Sequence, residues 1–287
     1  MTDVVSAFGL RVNSEVPLPL PEYESADADE DIHVSEGRVR SPPGDGEIVF
    51  GDSELYLRIN GVGSFRIGKR SVVVDRNDGV ADGTLAAAIL GRVLAILLYR
   101  RGYLVMHGSG TVINGRGTAF LGFKGSGKSS LAAELYIRGH VPVTDDTVVV
   151  RLGDPPSLVP SFPRMKLDGR TLTTLELTDG DTEADRKRWH AVDDRFESDS
   201  VVLDTVFILE ERDVDFPTVD ALEPATAIER LLRHSASAEL VEATQTEERH
   251  FRECAQVAEA VDVKRLYRSD DLSQLPELAR TVENTLE

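Results

Sequence analysis

The sequence predicts an α/β fold preceded by a small β-rich subdomain, and three observations carry that prediction. Residues 118–150 change character in the order strand, glycine-rich loop, helix, strand. Residues 1–80 are short apolar runs broken by turn clusters. Between them lies Leu85–Tyr99, apolar on nearly every side, as expected of a buried helix. The boundary is expected near Asp82, giving residues 1–82 to the β-rich part and 83–287 to the α/β part.

In the first part, Val4–Val12 partly alternates, and Ile32–Val34 with Val39 reads as another strand. Glu22–Asp31 is an acidic loop, and SPPGDG at 41–46 is a turn cluster. Leu55–Ile59 meets Asn60-Gly61, a hairpin signal, before strands at Ser64–Ile67 and Ser71–Asp75. Asp82 is placed to cap the helix Leu85–Tyr99, which Arg100-Arg101-Gly102 should end. Tyr103–His107 and Thr111–Ile113 read as two strands, the second turning at Asn114-Gly115 into Thr118–Leu121.

The chemically informative stretch begins at the end of that strand. Gly122, Phe123, Lys124, Gly125, Ser126, Gly127, Lys128 and Ser129 fit G-x-x-x-x-G-K-[ST], with Ser130 next in line. The glycines let the backbone turn sharply and aim successive N–H groups at an anion. Lys128 and Ser129 open a helix, with Leu131, Ala132 and Leu135 on its apolar face and Gly139 at its end. A helix start adds its own positive potential. The motif assigns Lys128 to the β- and γ-phosphates of a nucleotide and the hydroxyl of Ser129 to Mg²⁺.

The next strand, Val141–Thr144, ends in Asp145-Asp146, with Val148–Arg151 continuing β. An acid at this position is where such a site places its metal carboxylate. With two, one can serve Mg²⁺ while the other accepts a proton from an attacking hydroxyl; the sequence does not assign which. Gly153–Pro163 is a proline-rich loop, and Arg164 and Lys166 come after it as candidate phosphate or substrate contacts. Thr178–Glu197 is polar, either a flap over substrate or a solvated segment. Val201–Leu209 and Val261–Leu266 read as strands; Ala225–Arg233, Glu247–Ala260 and Leu275–Leu286 read as helices.

Composition narrows the function. The 287 residues carry a net charge of −18, from 50 acidic and 32 basic side chains, of which six are Lys and 26 Arg. An acidic surface repels nucleic acid and anionic lipid, so neither is an expected partner. The acid excess, with Arg favoured over Lys, resembles proteins of salt-loving organisms; an ordinary acidic protein of a GC-rich genome fits as well. Cys254 is the lone cysteine, which excludes a disulfide framework and a cysteine metal site. No signal peptide is evident, and Leu85–Tyr99 carries Arg92 and is short for a bilayer span, so the expected location is cytoplasmic.

Taken together, HGSG at 107–110, the loop at 122–129, RGH at 138–140 and TDD at 144–146 resemble the catalytic domain of HPr kinase/phosphorylase. The whole chain is more similar to HPr-kinase-like proteins associated with peptide modification, through Arg101–Gly108 and the P-R-x-K-L element at 163–167. The resemblance implies a P-loop kinase domain of the HPr kinase/phosphoenolpyruvate carboxykinase type. It implies ATP- and Mg²⁺-dependent phosphate transfer to a serine of a peptide or protein. Asp145 and Asp146 would supply metal contact and base, and His107 would lie close to the nucleotide. No R-G-x-G segment occurs after Asp146, Lys124 is an added cation and the N-terminal region is unlike the sensor domain of the bifunctional enzymes, so phosphorolysis and HPr itself are not expected. A kinase of a small hydroxylated metabolite and a non-catalytic nucleotide-binding regulator are the alternatives. Self-association into a homo-oligomer is left open.

Overall fold

The structure is a computed structural model and describes residues 3–22, 31–40, 47–51, 53–177, 187–192, 195–235 and 238–287. Most of the acidic loop, the 41–46 turn cluster and residues 178–186 of the polar segment lie outside the described residues. The chain divides into two compact units, Met1–Tyr103 with Ser237–Glu247, and Leu104–Ala236 with Glu248–Glu287. The division thus falls after Tyr103 and not near Asp82, because the long helical run belongs with the N-terminal strands.

The first unit is a seven-stranded sheet: β1 (Asp3–Ala7), β2 (Leu10–Ser14), β3 (Asp31–Glu36), β4 (Ile48–Phe50), β5 (Leu55–Ile59), β6 (Gly63–Ile67) and β7 (Ser71–Arg76). Their spatial order is β1-β2-β3-β7-β6-β5-β4. Alternate residues are buried, among them Leu55 and Leu57, Phe65 and Ile67, and Val72 and Val74, so the sheet has one apolar face. Asn60-Gly61 does make the β5–β6 hairpin turn. The helical run spans Asp82–Arg100 as α1 (Asp82–Ala88), a π turn at Ile89–Val93 and α2 (Leu94–Arg100). Asp82 is not the cap: Ala81 holds that place, and the Asp82 carboxylate accepts from Arg76 at 2.6 Å. At 19 residues the run is long and apolar enough to cross a membrane, but more than half of it is buried. Arg92 at its middle pairs with Glu47 and with Glu239, which lies on a helix at Ala238–Thr244.

The second unit is a layered α/β structure. Its elements are β8 (Leu104–Ile113), β9 (Arg116–Leu121), α3 (Lys128–Ile137), β10 (Val141–Thr144), β11 (Thr147–Arg151), β12 (Ser157–Val159), β13 (Arg164–Asp168) and α4 (Gly169–Thr174). They continue as β14 (Lys187–Ala191), β15 (Val201–Glu211), β16 (Thr218–Ala221), α5 (Pro224–His234), α7 (Glu247–Ala260), β17 (Asp262–Arg268) and α8 (Leu275–Thr285), α6 being the Ala238–Thr244 helix of the first unit. At the centre β9, β15 and β17 run parallel, β15 in the middle.

Period-two alternation sorts these strands between two cores. Leu121, Val206 and Ile208 pack with Ala227 and Leu231 of α5 and Val257 of α7. Phe120, Phe207 and Leu209 pack on the other face with Leu131 and Leu135 of α3 and the α8 residues Leu278 and Val282. Phe120 and Phe207 stack across the strands at 5.8 Å between centroids. On its far side α3 meets the β13–β14 hairpin through Ala132, Tyr136, Met165 and Leu167. Sandwiched in this way, α3 is buried on nearly every side, and its N-terminus is fixed in position.

Candidate functional site

The glycine-rich loop leaves the carboxyl end of β9 and enters α3 through Gly127, whose φ of 86° is left-handed and favours glycine. The N–H of Leu131 closes the first helical turn on the Gly127 carbonyl. The N–H groups ahead of it have no acceptor within the helix and face outward. Lys128 is only 5% exposed, and its Nζ donates to the carbonyls of Gly122 and Phe123, each at 2.9 Å. The motif lysine thus laces the loop across its own opening. Phe123 stands 59% exposed at the tip and meets the buried His234 edge-on, 4.8 Å between centroids. Burial, then the nearby Lys128, pushes His234 down to about 4, so the ring under the loop is neutral.

The two adjacent acids have different surroundings. Asp146 takes a left-handed backbone, φ 66°, which ends β10 and turns the chain into β11. Asp145 is 4% exposed; its Oδ1 accepts from the Ser109 hydroxyl at 2.6 Å and its Oδ2 from the Lys166 N–H at 2.7 Å. Asp145 therefore ties β8 to β13 and is not among the cleft-lining residues. Asp146 is half-open and lines the cleft. Its carbonyl accepts from Nδ1 of His107 at 2.8 Å, and its Oδ1 is 3.6 Å from the same nitrogen. A carbonyl can only accept, so in the neutral ring the proton sits on Nδ1 and Nε2 keeps its lone pair. Burial, reinforced by Lys128, holds the His107 pKa below its ordinary value and keeps the ring neutral.

These groups border one cleft of about 220 Å³. Of the residues expected from the sequence, His107, Lys124, Gly125, Gly127, Lys128, Ser129, Ser130, Asp146 and Lys166 line it. Gly122, Phe123 and Ser126 shape the loop behind it. Arg164 does not reach it, although it shares a strand face with Lys166, whose ammonium also lies 5.5 Å from the centre of the Trp189 ring. The cleft also contains Asp168, Arg170, Arg268 and Asp270, which no local motif announced. Asp168 caps α4 by accepting from the Thr171 N–H at 2.8 Å. Lys124, Lys128, Lys166, Arg170 and Arg268 face three acids here, an excess of cations inside a strongly acidic chain. Such a lining selects for anions. No cluster of three or more His, Cys, Asp or Glu suited to a metal occurs among the described residues.

No family model matches the chain, and no curated protein matches it. Among solved structures, the HPr(Ser) kinase/phosphatase from Coxiella burnetii is similar over 63% of this chain and 95% of its own, at 16% identity and a TM-score of 0.34. That is a distant likeness to a mixed α/β enzyme.

Proposed function

We propose that the second unit binds Mg²⁺–ATP in this cleft and transfers the γ-phosphate to a hydroxyl of a peptide or protein. The observation that carries this reading is the meeting of the loop–α3 anion cradle with Asp146 and His107 at one opening. A binding module needs the cradle alone; the acid and the neutral imidazole beside it are what proton removal requires.

In this reading the α3 N-terminus and Lys128 bind the β- and γ-phosphates, which means the Lys128 ammonium trades a loop carbonyl for phosphate oxygen. Ser129 and Asp146 are the oxygens that would hold Mg²⁺, which when bound neutralises the triphosphate and orients it for in-line attack. The acceptor oxygen forms its bond to the γ-phosphorus as the bond to the β–γ bridging oxygen breaks. The acceptor's proton passes to Nε2 of His107 or to the Asp146 oxygen that the metal would leave free. Asp145 works at one remove, holding the Lys166 backbone and so the β13 wall of the cleft. Lys166 and Arg170 are the cations available to phosphate or acceptor from that wall; Arg164 is assigned no role.

The test is transfer from γ-labelled ATP to a panel of serine peptides and hydroxylated metabolites, measured beside calorimetric nucleotide binding. Labelled peptide with wild type and none with Lys128→Ala is the expected outcome. Transfer confined to small metabolites would move the reading to a metabolite kinase. Nucleotide binding with no transfer to any acceptor would leave a regulator.

A further inference from the structure

The three parallel strands β9, β15 and β17 end side by side, and sheets of this kind bind ligands at such carboxyl ends. The loop sits at the end of β9. At the end of β17 sits Arg268, two residues beyond the buried Leu266 and therefore on the same sheet face, towards α3. Its guanidinium lies flat against Gly127: a Cβ there would meet Cζ at 3.0 Å, Nη1 at 3.1 Å and Nε at 3.3 Å. Arg268 is 3% exposed, yet its Nε–H is buried with no acceptor. Its ion-pair partner, Asp270, is 3.5 Å from Nη2 and itself largely exposed. Arg76, Arg230 and Arg265 also bury an Nε–H without an acceptor, but of these four arginines Arg268 alone lines the cleft. A buried, charged donor left without an acceptor is costly, and such groups in folded proteins call for an explanation.

We propose that Arg268 is a polyphosphate ligand of the cleft, its Nε–H held for an oxygen of the anion seated at the α3 N-terminus. Asp270 steadies the guanidinium, and its exposure lets it yield to a better-placed oxyanion. The planar fork of arginine suits phosphate, and Gly127 is the one residue type that lets it lie this close. The inference deepens the nucleotide reading and rests on it.

The experiment is calorimetry on the full chain with Mg²⁺–ATP and, separately, inorganic pyrophosphate, comparing wild type, Arg268→Gln and Arg268→Lys. Arg268→Gln should weaken both ligands by roughly 10- to 100-fold, the usual range for a lost charge-assisted hydrogen bond. Arg268→Lys should recover only part, since an ammonium restores charge without the fork. Wild type that binds neither ligand removes the nucleotide reading and this inference together. Wild type that binds both, beside a folded Arg268→Gln of equal affinity, overturns the role of Arg268 alone and leaves it a packing residue. Should the glutamine variant not fold, arginine Nε–H resonances of wild type decide: one slowly exchanging signal must shift on pyrophosphate addition. A set of protected Nε–H signals unmoved at saturation sinks the proposal.

Discussion

One left-handed residue separates the environments of two neighbouring carboxylates. With φ at 66°, Asp146 turns into the cleft while Asp145 stays under the sheet, its oxygens taken by Ser109 and the Lys166 N–H. The two should answer differently to the same change. Asp146→Asn removes a proton acceptor from the opening and should cut transfer by about 10²–10⁴-fold with little effect on melting. Asp145→Asn places an amide N–H₂ against one of two buried donors and should cost about 1–3 kcal/mol of stability, read as a lower melting temperature. Thermal unfolding and transfer rates measured on both variants check this; the opposite assignment of effects would sink it. At Lys128, truncation to Ala removes the ammonium that spans the loop, and ATP affinity should fall by roughly 1.5–3 kcal/mol in calorimetry. An unchanged affinity would mean that phosphate never displaces the Gly122 and Phe123 carbonyls from it.

At the scale of elements, α5 brings a pH dependence that its sequence does not advertise. His234 ends this helix buried beneath the loop, with a folded pKa of about 4 against about 6.5 in an unfolded chain. Between those values the unfolded state binds the extra proton, so stability is full above pH 6.5 and falls as pH drops towards 4. The loss should be on the order of 2–3 kcal/mol, and His250, lowered by burial as well, acts in the same direction. Urea unfolding at pH 7 and pH 4.5 measures it, and His234→Gln should flatten the difference; parallel losses in both proteins would remove His234 as the cause. Elements are legible in the sequence where the signal is local. The β9–loop–α3–β10 succession and the β5–β6 hairpin are written in glycine placement and apolar alternation. β8 reads as two strands because His107-Gly108-Ser109-Gly110 interrupts its apolar run. The interruption is a packing requirement: a Cβ at Gly108 would meet the Phe120 carbonyl oxygen at 2.5 Å, and one at Gly110 the Thr144 side chain at 2.9 Å. Short pieces such as α4, β12, β14 and β16 owe their form to neighbours distant in sequence. The site divides along the same line. Of the cleft-lining residues, Lys128 and Asp146 stand in stretches readable locally, while His107 is singled out only through the family resemblance. Arg170 and Arg268 reach the cleft through the hairpin and the strand order, which no window of sequence contains.

For the whole molecule, the net charge of −18 is the dominant electrostatic fact. Self-repulsion opposes compaction when screening is weak, so the melting temperature should rise between dilute and molar KCl. A melting temperature indifferent to salt would remove charge repulsion as a limit on stability and leave the cleft chemistry untouched. Chain connectivity carries a different consequence, which concerns the order of synthesis. The first unit takes Met1–Tyr103 and then Ser237–Glu247, with Leu104–Ala236 made in between. The late segment is no ornament: Glu239 pairs with Arg92, Tyr99 shares a hydrogen bond with Thr246, and the Ala238–Thr244 helix packs on β4. A ribosome therefore releases seven strands and the long apolar helical run well before the segment that completes them exists. A fragment ending at Tyr103 should accordingly be poorly soluble when expressed alone, and adding residues 104–236 should not rescue it. The earlier part of this unit has to wait for a segment made more than a hundred residues after it.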